Sequence, residues 1–233
     1  LATHGRPGPV WLDIPLDIQG GIVDTDEFVE FYPNTIPAEQ PELITIKRVE
    51  KIIKLIQSSE RPVFMLGNGI HIANCVNLTH EVARKLNIPV AVAYDSTDLM
   101  AWDNPLYVGQ SGLLGDRPGN WAIQNADLIL SVGCRLSRRQ VGYEVNTWAR
   151  AAHVIMVDID KYELMKPSIH VETAVHADAK QFLEVMNKAL DNNPLKPKDE
   201  WIKRCQTWKV NYPVVQKKHY EDNGTVNAYC FLH

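Results

Sequence analysis

From Arg61 to Leu190 the apolar positions alternate between two kinds of run. Short, almost continuous stretches ("RPVFMLGNG", "IPVAVAY", "ADLILSVG", "AHVIMVDID" and the weaker "IHVETAVHAD") are separated by longer segments in which apolar residues recur at helical spacing. Continuous runs of this length, ending in glycine or polar turns, read as strands buried on both faces. Between them, "IHIANCVNLTHEVARKLN" sets Ile72, Val76, Leu78, Val82, Ala83 and Leu86 near one stripe. A further helix is predicted over Pro118–Asn125, and "AKQFLEVMNKAL" is the last of the series. The stretch after "IPVAVAY" reads as irregular through Trp102 and Tyr107. Upstream, "TIKRVEKIIKLIQSS" aligns Val49, Ile52, Ile53 and Ile56 on one face and predicts a helix leading into the domain. Alternating β and α runs with fully apolar strands imply an α/β fold, its parallel sheet covered by helices on both faces.

The flanks break this rhythm. "GRPGPVWLDIPLDIQG" passes from turn residues into the apolar run Val10 to Ile14 and stops at Pro15, so it reads as a buried strand leaving a loop. The next strand signal lies past a polar, Pro- and Glu-rich stretch from Tyr32 to Glu42, leaving the first strand without a sequence neighbour to pair with. At the other end "DNNPLKPKDE" reads as a linker, and "WIKRCQTWKV" spaces Trp201 and Trp208 seven apart on one helical face. The Lys and Arg residues from Lys196 to Lys218 read as a solvated face, or alternatively as a grip for an acidic partner.

Composition removes several function classes. With 233 residues the chain can bury a substantial core. Charged residues make up 22% and the net charge is −4, which argues against a polybasic nucleic-acid surface. Cys75, Cys134, Cys205 and Cys230 form no CxxC pair and read as free thiols of a reducing, cytoplasmic setting. No apolar run approaches the ~18 residues of a membrane span. The chain begins on Leu1 and is expected to be a piece of something longer.

In a parallel sheet, ligands bind outside the carboxyl ends of the strands. Here those ends read Gly67-Asn68-Gly69, Asp95-Ser96-Thr97, Gly133-Cys134-Arg135 and Asp158-Ile159-Asp160, a rim suited to a nucleotide. Gly67 and Gly69 would let backbone approach a phosphate, although Ile72 stands where a dinucleotide fingerprint has its third glycine and Asp95 only loosely meets the acidic position. Arg135, Arg138 and Arg139 of "CRLSRRQ" either hold diphosphate oxygens or form an exposed basic turn. "SGLLGDRPGNWA" is either a loop over a flat ligand or an ordinary surface loop. No GxSxG, HExxH or phosphate-loop lysine occurs. His71, His80, His153, His170 and His176 have no metal-ligand spacing, so no catalytic residue and no metal ligand is assigned.

Three segments together, "GRPGPVWLDIPLDIQ", "GLLGDRPGNWAIQNADLILSVGCRLSRRQ" and "MVDIDKYEL", resemble thiamine diphosphate-dependent enzymes of the acetolactate synthase type, and the resemblance covers nearly the whole chain. It implies a three-layer α/β/α central domain with a six-stranded, Rossmann-like parallel sheet. Residues 1–20 would be the last strand of a pyrimidine-binding domain, 21–45 a linker, 46–191 the central domain, and 192–233 a linker and the start of a diphosphate-binding domain. The full-length protein would use thiamine diphosphate and Mg2+ to decarboxylate a small 2-keto acid such as pyruvate and ligate the two-carbon unit to another carbonyl compound. It would act as a homodimer or tetramer, and the present chain would be inactive without its missing domains. By the same resemblance FAD, or another adenine nucleotide, would touch Arg6, Gly67, Asn68, Gly69, Gly115, Gly133, Arg135, Arg139, Asp158 and Ile159.

Some positions depart from that pattern. Leu113-Leu114 stand where the family has Met-His, Ser137 and Arg138 where it has acidic residues, and Leu16 where it has a lysine near the substrate entrance. Two other readings therefore stay open. One is a non-catalytic nucleotide-binding or structural scaffold; the other is an NAD-dependent enzyme with Asp95 on the ribose.

Overall fold

Strand β1 (Pro62–Leu66) is buried along its whole length, and so are β2 (Val90–Val92) and β4 (Leu128–Val132). In the computed structural model, which describes residues 2, 8–29, 32, 41–221 and 224–232, they join β3 (Tyr107–Gln110), β5 (His153–Asp158) and β6 (Thr173–His176). All pair in parallel, in the order β3-β2-β1-β4-β5-β6. The order reverses between β1 and β4, which makes their carboxyl ends the topological switch point. Successive side chains face opposite sides of a sheet. Phe64 and Leu66 enter one core with Val49, Ile52 and Ile56 of helix α1 (Ile46–Ser58), Val82 and Leu86 of α2 (Val76–Leu86), and more C-terminal Phe182 and Met186. Val63 and Met65 enter a second core with Ala122 and Ile123 of α3 (Arg117–Asn125). The expected three-layer α/β/α sandwich with six parallel strands is the architecture found.

Several of the helices begin at a side-chain cap. Thr45 accepts a hydrogen bond from the Arg48 amide at α1 and Asp116 from Gly119 at α3. Past α4 (Lys161–Met165), Asp178 accepts from Gln181 at α5 (Ala179–Asn192). The stripe expected on α1 is the buried one.

Four local expectations are corrected. The helix drawn across Ile72 to Leu86 is broken into Gly69–Ile72 and α2, because Asn74 takes φ 50°, a left-handed conformation that asparagine tolerates; Ile72 is consequently exposed. The segment read as irregular contains β3, a short edge strand paired only with β2 across a register shift. Gly109 sits in β3 at φ +133°, and a Cβ there would lie 2.2 Å from the Asp116 carboxylate, so the strand carries none of the usual β-branched signal at that point. The run Val10 to Ile14 is neither a strand nor buried: it has no ladder partner among the described residues, and Trp11 is 90% exposed.

The fourth correction concerns the basic tail. Helix α6 (Asp199–Asn211) buries Trp201 and Cys205 in the second core, and Trp201 Nε1 donates to Pro62 O at 3.1 Å. Lys203, Arg204, Lys217 and Lys218 are exposed as expected. Lys198 instead donates to Gln57 O and Ser59 O at the end of α1. Lys209 is buried: its Nζ donates to Trp102 O and Tyr107 O and lies 4.6 Å and 5.2 Å from those two ring centroids. A cation on two aromatic faces and two carbonyls satisfies the burial that a solvated lysine avoids. Burial pushes its pKa below the usual lysine value, opposed by the charges of Asp116 and Asp103. Between that lowered value and the unfolded 10.5, the unfolded chain holds a proton that the folded chain has released, so stability rises with pH across this window. Urea titrations over the alkaline range should show the rise in the native sequence and its loss in Lys209→Met.

The chain divides into two compact units, Leu1–Pro41 and Glu42–His233, and the sheet with all labelled elements lies in the second. Among the described residues no helix is long and apolar enough to cross a membrane.

Candidate functional site

The carboxyl ends of β1 and β4 touch. Gly67 is buried, and a Cβ built on it would stand 2.4 Å from both Cys134 Cα and Gly133 O; one on Gly69 would stand 2.6 Å from Gly133 Cα. Gly133 itself takes φ +61°. The predicted glycines are thus brought together, and their first job is to let two backbones meet. Their amides are already engaged: Gly67 N donates to Val132 O, Gly69 N to Gly133 O and Gly133 N to Val157 O, at 3.2, 2.9 and 3.1 Å. Asn68, between the two β1 glycines, is exposed. Beneath it Cys134 is buried, and burial pushes its thiol up to about 12, partly offset by a hydrogen bond from the Leu136 backbone, so it is no nucleophile at neutral pH.

Two arginines stand on this rim. The Arg135 side chain is 64% exposed while its Nε pairs with Glu163, a carboxylate that also meets Lys166 Nζ at 3.1 Å. Arg139 Nη1 donates to the Tyr94 hydroxyl at 3.3 Å, and its guanidinium lies 5.6 Å from the Tyr94 ring centroid. The turn carrying Arg139 is tied to the 111–115 loop by Leu113 N to Arg139 O at 2.8 Å and by Gln140 Nε2 to Ser111 Oγ at 2.5 Å. Gly112 exchanges hydrogen bonds with the Asn120 side chain, and a Cβ on Gly115 would fall 2.5 Å from Gln110 O, so this loop is braced from below with Leu113 and Leu114 outward.

The remaining predicted residues are distributed as follows. Asp158 ends β5 buried, its Oδ1 accepting from Asp160 N at 2.9 Å, and Ile159 beside it is exposed. Asp95 is exposed and accepts from Ser96 Oγ at 3.0 Å. Arg6 lies outside the described residues. Tyr94, Glu163 and Lys166 were missed: the first lies just past β2 in a run that reads as merely apolar, and the other two lie in and just after the short helix α4, whose partners on the β4 turn are distant in sequence. Among the described residues no group of His, Cys, Asp or Glu is arranged to hold a metal ion. The rim offers two cationic forks, an aromatic face and an exposed amide, chemistry that suits an anion joined to a flat ring.

Residues 49–186 match the family described as thiamine pyrophosphate enzyme, central domain. A probable acetolactate synthase large subunit of Methanocaldococcus jannaschii is 32% identical over 92% of this chain and 36% of its own length. The isozyme 1 large subunit of Escherichia coli is 30% identical over 98% of the chain and 39% of its own length, and the large subunit of Cyanidium caldarium 29% identical over 92% and 37%. The chain therefore spans somewhat more than a third of the length of these curated relatives.

Proposed function

This chain belongs to the thiamine pyrophosphate enzymes and contains their central domain, and from that premise we propose that it serves within a longer enzyme of the acetolactate synthase type. That enzyme decarboxylates a 2-keto acid such as pyruvate and joins the two-carbon unit to a second carbonyl compound. The observation that carries this reading is similarity along 92% or more of the chain to large subunits of acetolactate synthases. Thiamine diphosphate, when bound, supplies the electron sink for decarboxylation. The described residues do not fit its Mg2+, since none cluster as ligands, so both groups are assigned to the rest of the parent and no step is routed through them here.

In this proposal the parent is a cytoplasmic homodimer or tetramer. Residues 1–20 belong with a pyrimidine-binding domain, 21–45 form a linker, 46–191 are the central domain, and 192–233 lead toward a diphosphate-binding domain. The exposure of Trp11, Leu12 and Leu16 supports the first assignment, and the packing of α6 makes that helix the part of the last segment that stays with the central sheet. The central domain binds an adenine nucleotide, FAD foremost, through the predicted set from Arg6 to Ile159. Arg135 and Arg139 hold the diphosphate and Tyr94 offers a ring face.

The test is the open reading frame that contains this chain, purified with thiamine diphosphate and Mg2+: pyruvate should release CO2 and yield an acetolactate-type product. Absence of CO2 from pyruvate and other 2-keto acids would leave the scaffold reading. One observation favours that second reading: the glycine amides pair with the strands, and each rim arginine already has a partner within the chain. Calorimetry with ADP then separates a nucleotide-binding rim from a purely structural one. The nucleotide reading expects binding that weakens about tenfold or more in Arg135→Ala and again in Arg139→Ala, each losing a charge-assisted contact of roughly 1.5–3 kcal/mol. A purely structural scaffold expects no binding, whereas a non-catalytic nucleotide-binding module expects it.

A further inference from the structure

The turn after β4 is built unlike the glycine turn after β1. Leu136 takes φ +51°, a left-handed conformation that costs an ordinary side chain roughly 1–2 kcal/mol and persists only where its surroundings hold it. What holds it is on α4 and just beyond. Lys166 Nζ donates to both Arg135 O and Leu136 O, and Glu163 joins Lys166 Nζ to Arg135 Nε. In extended backbone successive carbonyls point to opposite sides; here two successive carbonyls meet one ammonium, which the left-handed Leu136 permits. Leu136 is itself buried, so the turn is fastened from inside while Arg135 stays largely in solvent.

We infer that Glu163 and Lys166 are positioning residues for anion recognition. They hold the Arg135 guanidinium through its Nε while the side chain stays largely in solvent. The anion of a nucleotide diphosphate is then recognised by the β4 turn, because the Gly67, Gly69 and Gly133 amides are engaged by backbone carbonyls. The inference rests on the nucleotide reading of the rim proposed above.

The experiment titrates ADP and, in parallel, adenosine into the 233-residue chain by calorimetry. The variants are Glu163→Gln, Arg135→Ala, the double variant, Lys166→Arg and Lys166→Met, each checked by thermal melting. Glu163→Gln should weaken ADP about tenfold, leave adenosine binding unchanged, and have no further effect once Arg135 is alanine. Lys166→Arg should retain more ADP affinity than Lys166→Met. The Arg135 Nε–H resonance should be slow to exchange in the native chain and fast in Glu163→Gln, which reads the clamp without any ligand. ADP binding that Glu163→Gln leaves intact, or a loss equal for ADP and adenosine, overturns the inference alone. Failure of the native chain to bind ADP overturns the nucleotide reading and this inference with it.

Discussion

Gly67→Ala is expected to destabilise the chain by about 3 kcal/mol, the upper range for overpacking a core, seen as a large drop in the urea midpoint with little change in slope. The added Cβ would lie 2.4 Å from Cys134 Cα and Gly133 O. Both neighbours are backbone, so neither can swing aside as a side chain would, and they directly follow β4, one of the two central strands. Relief requires β1 and β4 to part at their carboxyl ends, which also strains the hydrogen bond from Gly67 N to Val132 O. Gly20→Ala is the control: Gly20 takes φ −87°, which any residue adopts, and a Cβ there would approach nothing nearer than 3.7 Å, so a change within about 0.5 kcal/mol is expected. Equal midpoints for the two variants would mean that the strand tips do not meet as described.

Trp201→Ala is expected to cost more, about 3–5 kcal/mol, as for other fully buried aromatic residues cut to alanine. Trp201 is 4% exposed, lies in the second core with Val63 and Ile123, and meets Trp208 edge-on at 5.7 Å. Its Nε1–H to Pro62 O bond reaches the start of β1. Trp201→Phe keeps part of the ring and loses that donor, so it should fall between, near 1–2 kcal/mol. The measurement is cooperative denaturation of the whole chain followed by far-ultraviolet circular dichroism. A midpoint unchanged by Trp201→Ala would show that α6 is a passenger on the sheet. The expected result makes it an integral layer, held further by Gln206 Nε2 on Pro105 O and Tyr107 O at the edge strand.

Legibility varied with the range of the interaction that decides each feature. α1 and α5 were read correctly because a stripe at helical spacing needs one apolar surface and nothing more particular. β1, β4 and β5 were read because a strand buried on both faces is apolar throughout. β3 escaped, since its four residues become a strand only through pairing with β2 and through the room Gly109 leaves for Asp116. At the rim the glycines were found, but not that Gly67 and Gly69 pack against the Gly133–Cys134 backbone. Lys209 was placed in solvent because nothing local announces that Trp102 and Tyr107, some hundred positions earlier, will enclose it.

The amino-acid order alone settled the layered α/β character and the edge of the sheet on which polar and basic residues gather, because hydrophobic periodicity is a local property of consecutive positions. The folded chain decided which glycines touch, which lysines are enclosed and how Arg135 is held. Those outcomes depend on backbone approaching backbone and on charges meeting partners from remote segments, and contacts of that kind have no local signature.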